Sequence, residues 1–220
     1  MRKPWVQVSV DTQTVDAGRK QAEIALQAGA DWIEAGTPLI TFAGTGAIGA
    51  LCEQVGTCAV LADFKAQDGV AQYFIEAGRQ GARIATVLAI TNDASVRAAV
   101  HAGRKAGVQV MADLFSLPRD SVVARAREME ALGVDYLLIH LGIDELREDE
   151  TRDPLDGLRE VAEAVSIPVG PVVFSTEQGI EAVRHGASFL VVGTPLIEAP
   201  DALSQMQEFI HRVKSLEGVS

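Results

Sequence analysis

Four times in this chain a helix-like stretch runs into a glycine, then a small apolar residue, then a β-branched run. The joints are Ala28-Gly29-Ala30-Asp31, Gln80-Gly81-Ala82, Leu132-Gly133-Val134-Asp135 and His185-Gly186-Ala187. Glycine ends helices at such places because it enters the left-handed region without a steric penalty. Each joint therefore marks a passage from helix to strand, and the segments between the joints alternate in the same way. Strands are predicted at residues 6–11, 31–35, 58–65, 82–88, 108–113, 134–140, 167–174 and 187–192. Helices are predicted at about 17–27, from the Gly36-Thr37-Pro38 turn towards Val55, and at about 70–77, 95–106, 121–132, 155–165, 177–184 and 202–213.

About eight β-α rounds imply a parallel sheet with helices outside, and in 220 residues they imply a closed (β/α)8 TIM barrel. An open doubly wound sheet is the alternative. Closure is preferred because the first and last strands are as apolar as the inner ones, whereas open edges are blunted by charge or proline. No Pro/Gly/Ser-rich linker divides the chain, so residues 1–220 are read as one domain.

Charge narrows the partners. A formal net charge of −11 argues against nucleic acid and against an anionic membrane surface, both of which demand concentrated Lys and Arg. Cys52 and Cys58 form no metal or redox spacing, which fits reduced thiols. Met1-Arg2-Lys3-Pro4-Trp5 lacks an apolar leader core, and no apolar run approaches a bilayer span, so a cytoplasmic protein is expected.

In a barrel, chemistry sits where the strands end at their C-terminal face. The third strand runs from Cys58-Ala59-Val60-Leu61 into Ala62-Asp63-Phe64-Lys65-Ala66-Gln67-Asp68. If it continues through Lys65, its period of two puts Asp63 and Lys65 on one face and Phe64 on the other. Asp11, Glu34, Asp113 and His140 end other strands at the same face. Singly, each is also what a soluble strand terminus looks like. Together, on strands otherwise nearly free of charge, they imply a shared polar site.

These residues carry a resemblance. Val8-Ser9-Val10-Asp11, Ile33-Glu34-Ala35-Gly36-Thr37-Pro38-Leu39-Ile40, Ala62 to Asp68, Met111-Ala112-Asp113-Leu114 and Ile139-His140-Leu141-Gly142-Ile143-Asp144 resemble the orotidine 5′-monophosphate decarboxylase superfamily. Within it they are most similar to the branch of 3-hexulose-6-phosphate synthase and 3-keto-L-gulonate-6-phosphate decarboxylase. The resemblance implies a homodimer with active sites at the subunit interface, and an enediolate made from a sugar phosphate. It implies Mg2+ held by Glu34 and Asp63, with Lys65, Asp63, Asp68 and His140 as catalytic residues. Asp68 would reach the neighbouring subunit's site, Asp11 and Asp113 would bind substrate hydroxyls, and His140 would carry the proton. The chemistry is consistent: Mg2+ takes one or two carboxylates and keeps waters that substrate oxygens can replace. A lysine beside it faces a developing oxyanion, and a neutral imidazole suits proton shuttling near pH 7.

The decarboxylase pattern has a Glu after strand five and an Arg a few residues beyond the histidine. Here those positions are Asp113 and Ile143, which favours the synthase reaction of ribulose 5-phosphate with formaldehyde. A decarboxylase-like enzyme and a non-catalytic ligand-binding barrel are the alternatives. The chain departs from both branches after strands seven and eight, where glycine pairs that approach phosphate give way to Phe174-Ser175-Thr176 and Gly193-Thr194-Pro195. Ser175, Thr176, Gly193 and Thr194 are expected to bind phosphate at a helix N-terminus. Otherwise Ser175 or Thr176 caps that helix.

Overall fold

The computed structural model describes residues 3–216; Met1 and Arg2, which open the stretch read as lacking a leader, lie outside the described residues. Eight strands follow one another around a closed barrel in chain order: β1 (Trp5–Val10), β2 (Trp32–Ala35), β3 (Ala59–Ala66), β4 (Ile84–Leu88), β5 (Gln109–Asp113), β6 (Tyr136–Ile139), β7 (Val169–Val173) and β8 (Phe189–Val192). All pairings are parallel, and β8 closes on β1 through Trp5↔Phe189 to Val8↔Val192. The helices are α1 (Val15–Ala28), α2 (Thr37–Ala43), α3 (Gly46–Val55), α4 (Val70–Arg79), α5 (Asp93–Ala106), α6 (Val122–Leu132), α7 (Ile143–Glu148), α8 (Leu158–Ala164), α9 (Thr176–Arg184) and α10 (Ala202–Lys214).

The repeated joint does the same work at each of its four sites. Gly29, Gly81, Gly133 and Gly186 all take φ between 91 and 93°. Two residues on, the N–H of Asp31, Arg83, Asp135 and Ser188 donates to the first turns of the preceding strand, at Val6, Val60, Val110 and Val169 respectively. Where that residue is aspartate, its carboxylate also accepts the strand's own N–H: Val6 to Asp31 and Val110 to Asp135, both at 2.8 Å. The left-handed turn thus drops the chain directly into register.

Three elements depart from the sequence reading. The helix expected to run towards Val55 is two helices, α2 and α3, because Gly44 (φ 79°) ends the first with its N–H on the Ile40 carbonyl. The helix expected from 155 begins at Leu158, since Gly157 (φ 86°) turns the chain immediately before it. The short α7 after His140 has no counterpart among the predicted helices; six residues with no side-chain cap leave little pattern to see.

Two apolar layers result. Val6, Val8 and Val10 of β1 and their counterparts face the helices, while Trp32, Leu61, Ile84, Met111, Tyr136, Leu138, Phe189 and Val191 fill the barrel. At the N-terminal end the filling is aromatic, with Trp32 between Trp5, Tyr136 and Phe189 at ring separations of 5.1, 5.3 and 5.6 Å. That plug leaves one end open to chemistry. Among the described residues no helix is long and apolar enough to cross a membrane.

Candidate active site

Inward positions nearer the C-terminal face change from apolar to polar: Glu34 on β2, Asp63 and Lys65 on β3, Thr86 on β4 and Asp113 on β5. Asp11 and His140 stand one residue beyond β1 and β6. The predicted acids, the lysine and the histidine therefore converge.

Alternation puts Asp63 and Lys65 on the inner face together, and an irregularity in the strand falls at the same place. Between Ala62↔Ala85 and Ala66↔Val87 strand β3 takes four steps against two on β4, a bulge. Lys65 takes φ 46° within it, a left-handed value that costs a non-glycine residue of order 1 kcal/mol. Thr86 pins the bulge, accepting the Lys65 N–H at 2.9 Å and donating its hydroxyl to Asp63 Oδ1 at 2.8 Å. Phe64, as its alternation requires, points outward and packs on Tyr73 of α4 at 5.2 Å.

Lys65 Nζ is bonded to Asp63 Oδ2, lies 3.2 Å from Thr37 Oγ1 and 4.0 Å from Asp113 Oδ2. Thr37, at the start of α2, donates to Asp63 Oδ2 at 2.7 Å. Burial pushes the Asp63 carboxyl up, but the Lys65 charge and these hydrogen bonds outweigh it and hold Asp63 below the usual range. Burial likewise opposes the Lys65 ammonium, and Asp63, Asp113 and Glu34 more than reverse it. Both groups stay charged. Asp113 accepts the Phe115 N–H on Oδ1 at 3.0 Å and bonds His140 Nδ1 through Oδ2 at 2.9 Å. Burial opposes protonation of His140, yet the Asp113 carboxylate raises it overall.

Glu34 is the other buried acid. Burial first, then the charges of Asp63 and Asp11, push its carboxyl up to about 8. Gln7 Nε2 donates to its Oε2, and Ser9 Oγ lies 3.0 Å from its Oε1 and 2.7 Å from Asp11 Oδ2. Asp11 is at the mouth, where a Cβ on Gly36 would collide with its Oδ1; burial of the carboxyl raises it despite the Ser9 bond. Among the described residues no three His, Cys, Asp or Glu side chains form a metal cage. The donor set nonetheless fits Mg2+, which uses few carboxylates: Glu34 and Asp63 offer hard oxygens, and their mutual repulsion is what a divalent cation relieves.

Among the described residues, the remaining predicted ones make no hydrogen bond to this cluster; Gly193 borders it and Asp68 lies away from it. Ser175 is the N-cap of α9, accepting the Gln178 N–H at 3.2 Å, so its side chain has the capping role; Thr176 is the first helical residue. Gly193 and Thr194 follow β8 beside them, since Val173 pairs with Val192, and Gly193 is close enough that a Cβ would meet Ser9 at 3.2 Å and Asp11 Oδ2 at 3.8 Å. Asp68 is exposed, in a groove of 680 Å³ with Phe64, Tyr73, Ile75 and Arg79. Thr37, Thr86, Gln7 and Ser9 escaped the sequence reading because uncharged polar residues in strands and turns carry no signal of their own. The one available sign was Gln7 and Ser9 standing at inward positions of β1.

A sequence model described as orotidine 5′-phosphate decarboxylase / HUMPS family matches residues 4–209. The chain is 35% identical over 182 residues to 3-hexulose-6-phosphate synthase 2 of Staphylococcus saprophyticus, covering 81% of this chain and 83% of that one. The crystal structure of 3-hexulose-6-phosphate synthase from Salmonella typhimurium superposes with a TM-score of 0.86 at 25% identity, covering 95% and 98% of the two chains. That of 3-keto-L-gulonate-6-phosphate decarboxylase from Vibrio cholerae has a TM-score of 0.79 at 19% identity, covering 96% and 99%, a likeness of fold.

Proposed function

The chain belongs to the orotidine 5′-phosphate decarboxylase / HUMPS family, and from that premise we propose that it is a carbon–carbon lyase of the 3-hexulose-6-phosphate synthase type. The reaction is the reversible aldol addition of formaldehyde to ribulose 5-phosphate. The observation that carries this reading is the shared placement of Lys65 Nζ, against Asp63 and 4.0 Å from the Asp113 oxygen that binds His140. A fixed cation and a proton carrier meet at one point.

With Glu34 and Asp63 as its protein ligands, Mg2+ would supply Lewis acidity toward the ketose oxygens. His140 does the proton work. Its Nδ1 is committed to Asp113, which leaves Nε2 to take a proton from C1 of the pentulose phosphate. Negative charge then develops on the enediolate oxygens, and the half-buried Lys65 ammonium stabilises it. C1 attacks the formaldehyde carbon, the new carbon–carbon bond forms, and the former aldehyde oxygen takes the proton back from His140. Asp11 receives substrate hydroxyls at the mouth, and the phosphate lies against Gly193, Thr194 and the start of α9 at Ser175 and Thr176.

The decarboxylase alternative asks for a cation beyond the histidine to hold a carboxylate substrate. Ile143 occupies that place, 41% exposed. The homodimer belongs to the same proposal: Phe42, Tyr73 and Ile75 are large exposed apolar residues, the last two in the groove that holds Asp68. Incubation with ribulose 5-phosphate, Mg2+ and ¹³C-formaldehyde tests the reading. Label should appear in a six-carbon ketose phosphate by ¹³C NMR; a ligand that binds tightly without turnover would instead support a binding barrel.

A further inference from the structure

One layer below Glu34 the barrel filling is apolar except for Gln7. Its side chain is 0% exposed, and by register it stands between Trp32 of β2 and Val191 of β8. Nε2 donates to Glu34 Oε2, while Oε1 has no hydrogen-bond partner. A half-satisfied amide in such surroundings works against stability, where methionine of similar shape would not. Its presence is therefore accounted for by what it does to Glu34 rather than by packing.

Glu34 ends a flexible side chain, and its carboxylate is held at both oxygens, by Gln7 from within the barrel and by Ser9 3.0 Å from Oε1. The Ser9 hydroxyl is shared with Asp11, so only the Gln7 bond is dedicated to Glu34. We propose that Gln7 is a positioning residue whose amide fixes the Glu34 carboxylate for a divalent cation held jointly with Asp63. This rests on the reading of Glu34 as a metal ligand. Removal of a hydrogen-bond partner behind a ligand typically weakens a metal site by tens-fold without touching the ligand itself.

The test is cation affinity of the full-length protein, with Mg2+ by calorimetry and Mn2+ by electron paramagnetic resonance. Gln7→Met should stay folded by near-ultraviolet circular dichroism and bind either ion about 10-fold more weakly. Should it fail to fold, Gln7→Asn makes the same test, because it keeps the amide but draws it back by one methylene. Val191→Ala, at the register partner of Gln7, serves as the packing control: it should lower the melting temperature and leave affinity unchanged. Wild-type affinity in a folded Gln7 variant, or equal weakening in Val191→Ala, would overturn the positioning role. Absence of binding by the wild type would overturn that role and the ligand reading together, and so separates the two failures.

Discussion

Asp113 Oδ2 and His140 Nδ1 are 2.9 Å apart across neighbouring strand ends, and the same carboxylate is held on its other oxygen by the Phe115 N–H. The imidazole is thereby fixed in tautomer and orientation, and its ring also lies 5.1 Å from that of Phe115. Burial opposes the imidazolium, but a carboxylate this close favours it more, so His140 loses its proton at a higher pH than an ordinary histidine.

Activity should accordingly rise with pH through a value above 6.5. In Asp113→Asn the rise should move to lower pH, because the carboxylate that favours the proton is gone, and the plateau rate should fall by about 10²-fold. A pH–rate profile, with His140 titrated directly by NMR, checks both. An unmoved profile would separate His140 from the rate-limiting proton transfer.

Glu34 gives a second pH dependence, of opposite sign to that of an ordinary carboxylate. Its folded value of about 8 lies above the reference 4.5, so between those values the folded chain binds the proton more tightly than the unfolded chain. Without divalent cation, stability is lost as pH rises through that window. Glu34→Gln should remove the loss: in EDTA its melting temperature, relative to wild type, should gain at least about 3 °C between pH 6 and pH 9. The variant should also lose its response to Mg2+. Parallel melting curves would argue against a buried, repelled carboxylate.

The barrel was legible because its punctuation is local: Gly29, Gly81, Gly133 and Gly186 announce the turns into β2, β4, β6 and β8, and their common φ shows that one physical device recurs. The charged half of the site was legible for a related reason, since Asp63, Lys65, Asp113 and His140 interrupt apolar runs. What was not legible depends on pairing across strands. Thr86 matters because it lies opposite the β3 bulge, and Gln7 because it lies beneath Glu34. Neither relation is written in the spacing of its own strand.

Gly193 tests the phosphate position. A methyl there meets Ser9 at 3.2 Å and approaches Asp11 Oδ2, so Gly193→Ala should raise KM for ribulose 5-phosphate about 10-fold while leaving the fold intact. Ser175→Ala should instead act on stability, by about 1 kcal/mol, through the lost α9 cap. Equal KM in both variants and wild type would move the phosphate elsewhere.

Asp68 tests assembly. It is exposed beside Tyr73 and Ile75 and away from the Lys65 cluster, which suits a residue that completes a neighbour's site. Inactive Lys65→Ala and inactive Asp68→Ala subunits, mixed under exchange conditions, should regenerate activity in hybrids, approaching about a quarter of wild type for random pairing with one intact site per hybrid dimer. No recovery after demonstrated exchange would mean that one chain builds each site.

Proton abstraction from C1 is the step on which the account rests, and it needs no second substrate. Ribulose 5-phosphate incubated in D2O with the Mg2+-loaded protein, and no formaldehyde, should lose its C1 proton signal by ¹H NMR. His140→Ala should slow that loss by roughly 10²- to 10⁴-fold. Retention of the C1 protons by protein shown to be folded and metal-loaded would contradict an enediolate formed at the Lys65, Asp113 and His140 cluster.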